Sequence, residues 1–160
     1  MSARARRKEV VEDEWVPQVS AMLGGRKVLG GALPRNRLEV HVALSRGLPN
    51  AAAVTLVEGL HLLHPAEVLK VIGFAERSWQ RHRSEGKRPL SPERSSRAWK
   101  FAEVLARATK IFGSQEAAER WLDQPAIGLD HQRPVDLLNT QTGTELVEEF
   151  LERLDYGVYT

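Results

Sequence analysis

The chain has 160 residues, which suits one compact domain or two small domains packed together. It contains no cysteine, so a disulfide framework, a thiolate nucleophile and a Cys-based metal site are excluded, and a reducing compartment, the cytoplasm, is the expected location. The uncharged stretch 47–57, among the longest in the chain, is too short to span a membrane, and no apolar signal core follows residues 1–8.

The formal net charge of +2 conceals an uneven distribution of charge along the chain. Residues 1–113 carry 20 Lys and Arg against 11 Asp and Glu, whereas residues 114–160 carry 3 against 10. The first segment is therefore net +9 and the second net −7. We expect such a basic body and acidic end to contact different partners, one of them polyanionic.

The first part of the chain predicts an arm followed by short helices. Residues 1–14 combine four basic and four acidic residues without apolar spacing, which predicts a solvated, flexible arm. Residues 15–23 predict a short helix that ends at a glycine pair, and turns follow as far as Pro34. Residues 38–46 alternate apolar and polar side chains, which favours a strand, but the helical character of their flanks leads us to interpret them as a helix.

The middle of the chain has a clearer helical pattern. Pro49 can stand in the first turn of a helix over residues 50–60. Two short helices, at residues 65–72 and about 75–84, flank Gly73 and form a candidate helix-turn-helix. A longer helix begins at Ser91-Pro92-Glu93 and ends at Gly113.

The last part predicts a helix over residues 114–122, turns up to Pro134, a short element at 135–138 and a helix over 140–154. Thr142 and Glu145 have the spacing of a capping box at the start of that last helix. Its predicted continuous apolar face consists of Leu146, Val147, Phe150, Leu151 and Leu154. Since no segment has a convincing parallel-strand pattern, the sequence predicts an all-α fold.

The candidate helix-turn-helix offers a surface for DNA. We expect its apolar residues to be buried and the N-terminal end of its second helix to face a groove. The predicted buried residues are Val68, Ile72, Phe74 and Trp79. Residues 70–110 hold 11 Lys and Arg against 4 Asp and Glu, which is typical of a phosphate-binding surface. The bulky Leu69 and the polar His82 depart from the usual pattern, and a plain helical hairpin with a basic solvated face is the alternative. The candidate DNA-binding residues are Arg77, Ser78, Gln80, Arg81, Arg83, Lys87 and Arg88.

No catalytic arrangement emerges from the sequence. His61 and His64 have no acidic partner at metal-ligand spacing, and Ser91 and Ser114 stand at helix starts, where capping explains them. The glycine pairs near residues 24 and 30 are not followed by the Lys-Ser/Thr of a phosphate loop. The sequence therefore predicts no metal site, and only the histidines favour an enzyme of unknown chemistry.

The region from Gly113 onward contains an ordered series of residues that resembles a known family. The series includes Trp121-Leu122, Pro125, Leu129, Pro134, Leu137-Leu138, Asn139-Thr140, Gly143 and the ending Tyr156-Gly157-Val158-Tyr159. It is similar to the C-terminal toxin-binding domain of Xre/MbcA/ParS-type antitoxins. Upstream segments from about residue 20, among them Leu23-Gly24-Gly25 and Gly47-Leu48-Pro49, resemble the same proteins.

The resemblance implies a bacterial type II antitoxin that forms a homodimer and binds a RES-domain toxin encoded beside it. RES toxins degrade NAD or use it as an ADP-ribose donor, and antitoxins of the family cover the toxin's active-site cleft with their C-terminal domain and tail. The resemblance also implies repression of the antitoxin's own operon through operator DNA. It implies an inhibitor rather than an enzyme, with no cofactor and no small-molecule substrate.

The implied organisation is an arm at 1–14, an Xre-like helix-turn-helix domain for DNA binding and dimerisation at 15–112, and a small helical toxin-binding domain with its tail at 113–160. The implied toxin-binding residues are Trp121, Asp155, Tyr156, Gly157, Val158, Tyr159 and Thr160.

Two alternatives stay open at this point. The ending Tyr156-Gly157-Val158-Tyr159 is unusually apolar for a chain terminus and predicts an anchor for a partner, but such a tail can also fold back on its own domain. The chain as a whole can also be a plain dimeric helix-turn-helix transcriptional repressor whose acidic C-terminal helices only dimerise.

Overall fold

The computed structural model describes residues 14–157, and within that range the prediction of an all-α fold is confirmed. Residues 14–22 form helix α1. The helices that follow are Gly25–Leu29 (α2), Arg37–Arg46 (α3), Asn50–Glu58 (α4), Pro65–Ile72 (α5), Glu76–Ser84 (α6), Pro92–Phe112 (α7), Gln115–Asp123 (α8), Pro134–Leu137 (α9) and Gln141–Asp155 (α10), with a 3-10 turn at Ile127–Leu129. The predicted arm lies outside the described residues except for Glu14, which already belongs to α1.

The longest helix, α7, organises the packing. It contacts α3, α4, α5, α8 and α10, so its buried residues lie on several sides of the helix. Phe101 and Leu105 are almost completely buried, and the small Ala98 and Ala102 allow neighbouring helices to approach closely. Helix α7 therefore contacts helices of the basic segment as well as α8 and α10 of the acidic segment.

Local capping explains why several helices begin where the sequence predicts. The side chains of Ser91 and Ser114 accept hydrogen bonds from the backbone N–H groups of Arg94 and Ala117, which begins α7 and α8. Pro92 lies in the first turn of α7, where its missing N–H group costs nothing. These boundaries depend on residues only a few positions apart, so a local pattern can identify them.

Helix α10 begins within one residue of the predicted position, but the predicted capping box is wrong. Thr140, rather than Thr142, caps this helix, and its hydroxyl accepts a hydrogen bond from the backbone N–H of Gly143 at 2.9 Å. The extended backbone at Thr140 points its hydroxyl at that amide, so Thr142 and Glu145 lie inside the helix and form no capping box. A Cβ at Gly143 would collide with the carbonyl of Leu137, so the start of α10 packs closely on α9.

The predicted apolar face of α10 is also only partly correct. Val147 and Leu151 are buried, Phe150 and Leu154 are half-buried, and Leu146 is 46% exposed. The helix is rotated so that Gly143, Thr144, Val147 and Leu151 face inward. The apolar stripe of the sequence is wider than the face that the core covers, and Leu146 is left at the surface.

Helices α2, α4 and α6 also differ from the prediction. Helix α4 ends at Glu58 rather than at residue 60, and Pro49 precedes it as an extended N-cap residue instead of standing in its first turn. The five-residue α2 was predicted as a turn because glycines flank it on both sides. Helix α6 begins at Glu76, one residue after the predicted start, and ends at Ser84 as predicted.

Candidate functional site

The two short helices α5 and α6 and the turn between them lie where the sequence predicts. Gly73 ends α5 in the left-handed conformation, with a φ of 103°, which other residues rarely adopt. The centres of the Phe74 and Trp79 rings are 5.1 Å apart in an edge-to-face arrangement, so the turn packs against α6. The predicted buried residues of this unit, Val68, Ile72, Phe74 and Trp79, are all buried.

Six of the seven candidate DNA-binding residues are exposed on α6 and the turn after it, and the seventh, Ser78, is half-buried. The Ser78 hydroxyl donates a hydrogen bond to the carbonyl of Ala75 at 3.0 Å. In this conformation its proton is not available to a DNA acceptor. Arg83 and Arg88 form ion pairs with Glu58 and Glu85, at 2.8 and 3.0 Å. No carboxylate within residues 14–157 forms an ion pair with the three remaining cations, Arg77, Arg81 and Lys87.

The residues of α7 that pack against the turn between α5 and α6 were not among the candidate residues of the sequence. The guanidinium of Arg94, on the first turns of α7, lies 4.4 Å from the centre of the Phe74 ring. A Cβ at Gly73 would lie only 2.8 Å from a terminal nitrogen of Arg97, so this second arginine packs directly against the turn. Both arginines therefore fix the turn between α5 and α6 and add positive charge behind it.

His82 occupies the apolar position that the sequence identified as unusual. Its ring lies 4.9 Å from the Phe74 ring, and its buried Nδ1 has no hydrogen-bond partner among the described residues. Burial lowers the pKa of His82, and the positive charges of Arg94 and Arg81 lower it further. The ring of His82 therefore packs against Phe74 in an environment that disfavours its charged form.

This environment predicts that acid destabilises the protein through His82. The unfolded chain, with a histidine pKa near 6.5, binds more protons than the folded chain in the interval below that value, so unfolding becomes easier as pH falls. We expect the melting temperature of the wild type to fall more between pH 7.5 and 5.5 than that of His82→Phe. Thermal melts followed by circular dichroism at both pH values measure this difference.

The matched control for this prediction is His41→Phe, which changes an exposed histidine on α3. This variant should keep the pH dependence of the wild type. An equal fall in melting temperature for the wild type and His82→Phe would contradict the assignment.

A buried carboxylate on α8 ties the acidic segment to the loop that precedes α5. Glu119 is fully buried and accepts hydrogen bonds from the backbone N–H groups of His61, Leu62 and Leu63, at 2.9 to 3.0 Å. The side-chain amide of Gln115 donates a further hydrogen bond to it at 3.0 Å. Glu119 is absent from the residues that the sequence identifies, although its position one turn before the buried Leu122 on an amphipathic helix is a signal.

A second polar connection joins the acidic segment to α5. The Arg133 guanidinium donates hydrogen bonds to Glu67 on α5 at 2.7 Å and to Asp123 at the end of α8 at 2.6 Å. These hydrogen bonds to Glu67 and Asp123 raise the pKa of Arg133 above its usual value. Together with Glu119, Arg133 fixes α8 and α9 against the α5 and α6 unit.

Trp121, the first of the implied toxin-binding residues, lies in a stack of aromatic rings. Its ring centre is 5.3 Å from that of Phe112 and 5.8 Å from that of Phe150, with an angle of 9° between the Trp121 and Phe150 planes. Trp121 is half-buried, so part of its ring supports Phe150 and part is accessible.

The other implied toxin-binding residues follow the end of α10. Asp155 is its last residue, and Tyr156 after it is 73% exposed, so this aromatic ring does not pack on its own domain. Gly157 has a φ of 70° and open space around its Cα. Val158, Tyr159 and Thr160 lie outside the described residues. Asp155, Tyr156 and Gly157 thus project from the end of the domain.

The described residues offer no metal-binding cluster and no membrane span. Between residues 14 and 157, no three His, Asp or Glu side chains are grouped as metal ligands. No helix in the same range is long and apolar enough to cross a membrane.

Known proteins share the acidic helical segment at the end of this chain. Residues 107–157 match the family model of the antitoxin Xre/MbcA/ParS C-terminal toxin-binding domain. Over 112 residues the chain is 34% identical to the antitoxin Xre of Yersinia enterocolitica, an alignment that covers 68% of this chain and 75% of that protein. Over 119 residues it is 31% identical to the antitoxin Xre of Pseudomonas putida, covering 74% of this chain and 72% of that protein.

A third relative extends the agreement at lower identity. The antitoxin Xre of Photorhabdus laumondii is 27% identical over 120 residues, which cover 74% of this chain and 80% of that protein. These alignments span most of each protein rather than the C-terminal domain alone. The chain therefore belongs to the Xre antitoxin family, whose members neutralise toxins and are not enzymes.

Proposed function

We propose that this chain neutralises a RES-domain toxin by covering the toxin's active-site cleft with its C-terminal domain, residues 113–160, and the tail of that domain. The observation that carries the proposal is the exposed Tyr156 at the end of a segment that matches a toxin-binding domain. An exposed aromatic ring at a chain end buries a large apolar area on a partner at a low cost in side-chain entropy. Val158, Tyr159 and Thr160 belong to the same proposed contact.

The charge of the C-terminal segment supports the same partner. Residues 114–160 carry a net charge of −7, and a cleft that binds the pyrophosphate of NAD is expected to be cationic. Charge complementarity of this kind accelerates association and orients the two proteins. The proposal covers a toxin that degrades NAD as well as one that transfers its ADP-ribose.

Co-expression tests this function. The RES-domain protein encoded beside the gene is expressed alone and together with this chain, and growth and cellular NAD are followed. We expect growth arrest by the toxin alone and restored growth on co-expression. Persistent growth arrest with both proteins present and folded would contradict the proposal.

We further propose that residues 15–112 form the DNA-binding and dimerisation domain, through which a homodimer represses its own operon. The support is the group of cations on α6 and the following turn, of which Arg77, Arg81 and Lys87 are exposed and form no ion pair with described residues. The N-terminal end of a second helix is where a helix-turn-helix protein contacts base edges.

Substitution of Arg77 and Arg81 is expected to weaken operator binding. The double variant Arg77→Ala/Arg81→Ala should bind a fragment of its own promoter about tenfold or more weakly at fixed salt. Where the two arginines contact phosphates, the plot of the logarithm of the association constant against the logarithm of the salt concentration should become less steep, its slope falling in magnitude by about 2. Fluorescence anisotropy over a salt series measures both quantities.

Arg120→Ala/Arg153→Ala is the matched control, because it removes the same charge from α8 and α10. We expect its affinity for the promoter fragment to stay close to that of the wild type. Equal weakening by both double variants would assign the effect to net charge and would count against α6 as the DNA-reading helix.

A further inference from the structure

The C-terminal domain has a second apolar surface, separate from its tail. We name it the docking patch, and it consists of Ile127, Leu146 and Phe150. Ile127 is 83% exposed, Leu146 is 46% exposed and Phe150 is half-buried. Single exposed apolar side chains are common on soluble proteins, so their convergence on one face is the feature that needs an explanation.

Two contacts bring these residues together. A Cβ at Gly128 would collide with the ring of Phe150, so the backbone of the 3-10 turn that carries Ile127 lies directly against that ring. Leu146 lies one helical turn before Phe150 on α10, and residues at that spacing are neighbours on the helix surface. The 3-10 turn that carries Ile127 and the turn of α10 that carries Leu146 therefore both adjoin the Phe150 ring.

The base of the docking patch is rigid. Phe150 stacks on Trp121, and Trp121 stacks on Phe112 at the end of α7, so three aromatic rings connect the patch to the core. A surface that is held in place before binding loses little conformational entropy when a partner covers it. This is the arrangement expected of an interface centre.

Acidic side chains accompany the docking patch, and it continues toward the tail. Glu145 and Glu149 precede Leu146 and Phe150 by one residue each, and both are exposed. The guanidinium of Arg153 lies 5.8 Å from the centre of the Phe150 ring, and Tyr156 follows three residues later. A partner that holds the tail is thus positioned to cover the patch as well.

We propose that the docking patch binds the toxin at a surface outside its catalytic cleft, where an apolar area is surrounded by Lys and Arg side chains. This inference rests on the proposed neutralisation of a RES-domain toxin. It assigns two separable tasks to the C-terminal domain: the patch provides affinity, and the tail blocks the cleft.

Three variants of the full chain test this division, with the purified RES-domain protein encoded beside the gene as the probe. Ile127→Ser/Leu146→Ser removes the docking patch, deletion of residues 155–160 removes the tail, and Leu38→Ser is the control. Leu38 is 73% exposed on α3 and lies outside the C-terminal domain. Calorimetric titration gives the Kd, and an NAD turnover assay gives the toxin activity.

We expect the patch variant to bind at least about tenfold more weakly than the wild type, since two apolar side chains no longer become buried, and to inhibit fully at saturation. The tail-deleted protein should still bind the toxin but leave it active, and adding the two Ser substitutions to it should abolish binding. Leu38→Ser should behave as the wild type.

A wild-type Kd for the patch variant, or equal weakening by Leu38→Ser, would overturn the docking patch and leave the proposed function intact. Failure of the wild-type chain itself to bind the RES-domain protein would overturn both. Circular dichroism spectra of the variants establish that each is folded, which the exposure of the substituted side chains leads us to expect.

Discussion

Deletion of residues 155–160 is expected to abolish neutralisation of the toxin while the protein stays folded. The buried residues of α10 end at Leu151, and Asp155, Tyr156 and Gly157 are exposed, so the deletion removes little apolar packing. We expect the free energy of unfolding to change by less than about 0.5 kcal/mol, as for surface changes in general. Growth of cells that co-express the toxin measures neutralisation, and thermal melts measure stability.

The matched control for this deletion is removal of residues 1–8 from the other end of the chain. These residues belong to the predicted arm, and their removal should leave toxin neutralisation intact. Unimpaired rescue by the protein that lacks residues 155–160 would show that the tail does not cover the cleft.

Substitution of Glu119 by Ala is expected to cause the largest loss of stability among the changes considered. The variant leaves the backbone N–H groups of His61, Leu62 and Leu63 without their acceptor. Each buried donor without a partner costs about 1 to 3 kcal/mol, and His61 and Leu62 can regain part of this from water because both are exposed. We expect a total loss of about 3 kcal/mol in urea unfolding.

Two variants of the same helix separate the possible causes of this effect. Glu119→Gln keeps one acceptor oxygen and should lose less stability than Glu119→Ala, because only part of the network is broken. Glu116→Ala removes an exposed carboxylate on the same helix, 3.8 Å from His61, and should cost about 0.5 kcal/mol or less. Similar losses for Glu116→Ala and Glu119→Ala would contradict the role given to the buried carboxylate.

Local signals account for the parts of the fold that the sequence predicts well. Ser91 with Pro92, and Ser114 after Gly113, define helix starts through residues three positions apart, and Gly73 ends α5 because of its own backbone conformation. Such features need no knowledge of the tertiary structure. The helix α3 is less local: its alternating pattern resembles a strand, and only Val40 of this helix is buried.

Features that depend on distant partners could not be predicted in the same way. The backbone hydrogen-bond donors of Glu119 lie 56 to 58 residues before it, and no local pattern pairs them. The rotation of α10 depends on its contacts with α7 and α9, so the sequence could not decide which part of the apolar stripe, Leu146 or Val147, is covered. The docking patch follows from that rotation.

The resemblance of the last third of the chain to a toxin-binding domain contributed what physical patterns alone could not. The charge distribution and the exposed Tyr156 indicate two kinds of partner, but they do not distinguish a toxin from a second copy of the chain. The match to the toxin-binding domain over residues 107–157 supports a toxin as the partner. The cations of α6 supply the corresponding hypothesis for DNA.

The central claim is that this chain binds and neutralises a RES-domain toxin. The most direct test is to capture the tagged chain from cells of its own host and to identify the bound partners by mass spectrometry. Our account predicts a RES-domain protein in a fixed ratio to the chain, encoded by the neighbouring gene. Recovery of promoter DNA with no protein partner would contradict it, and would favour a plain repressor whose C-terminal helices serve dimerisation.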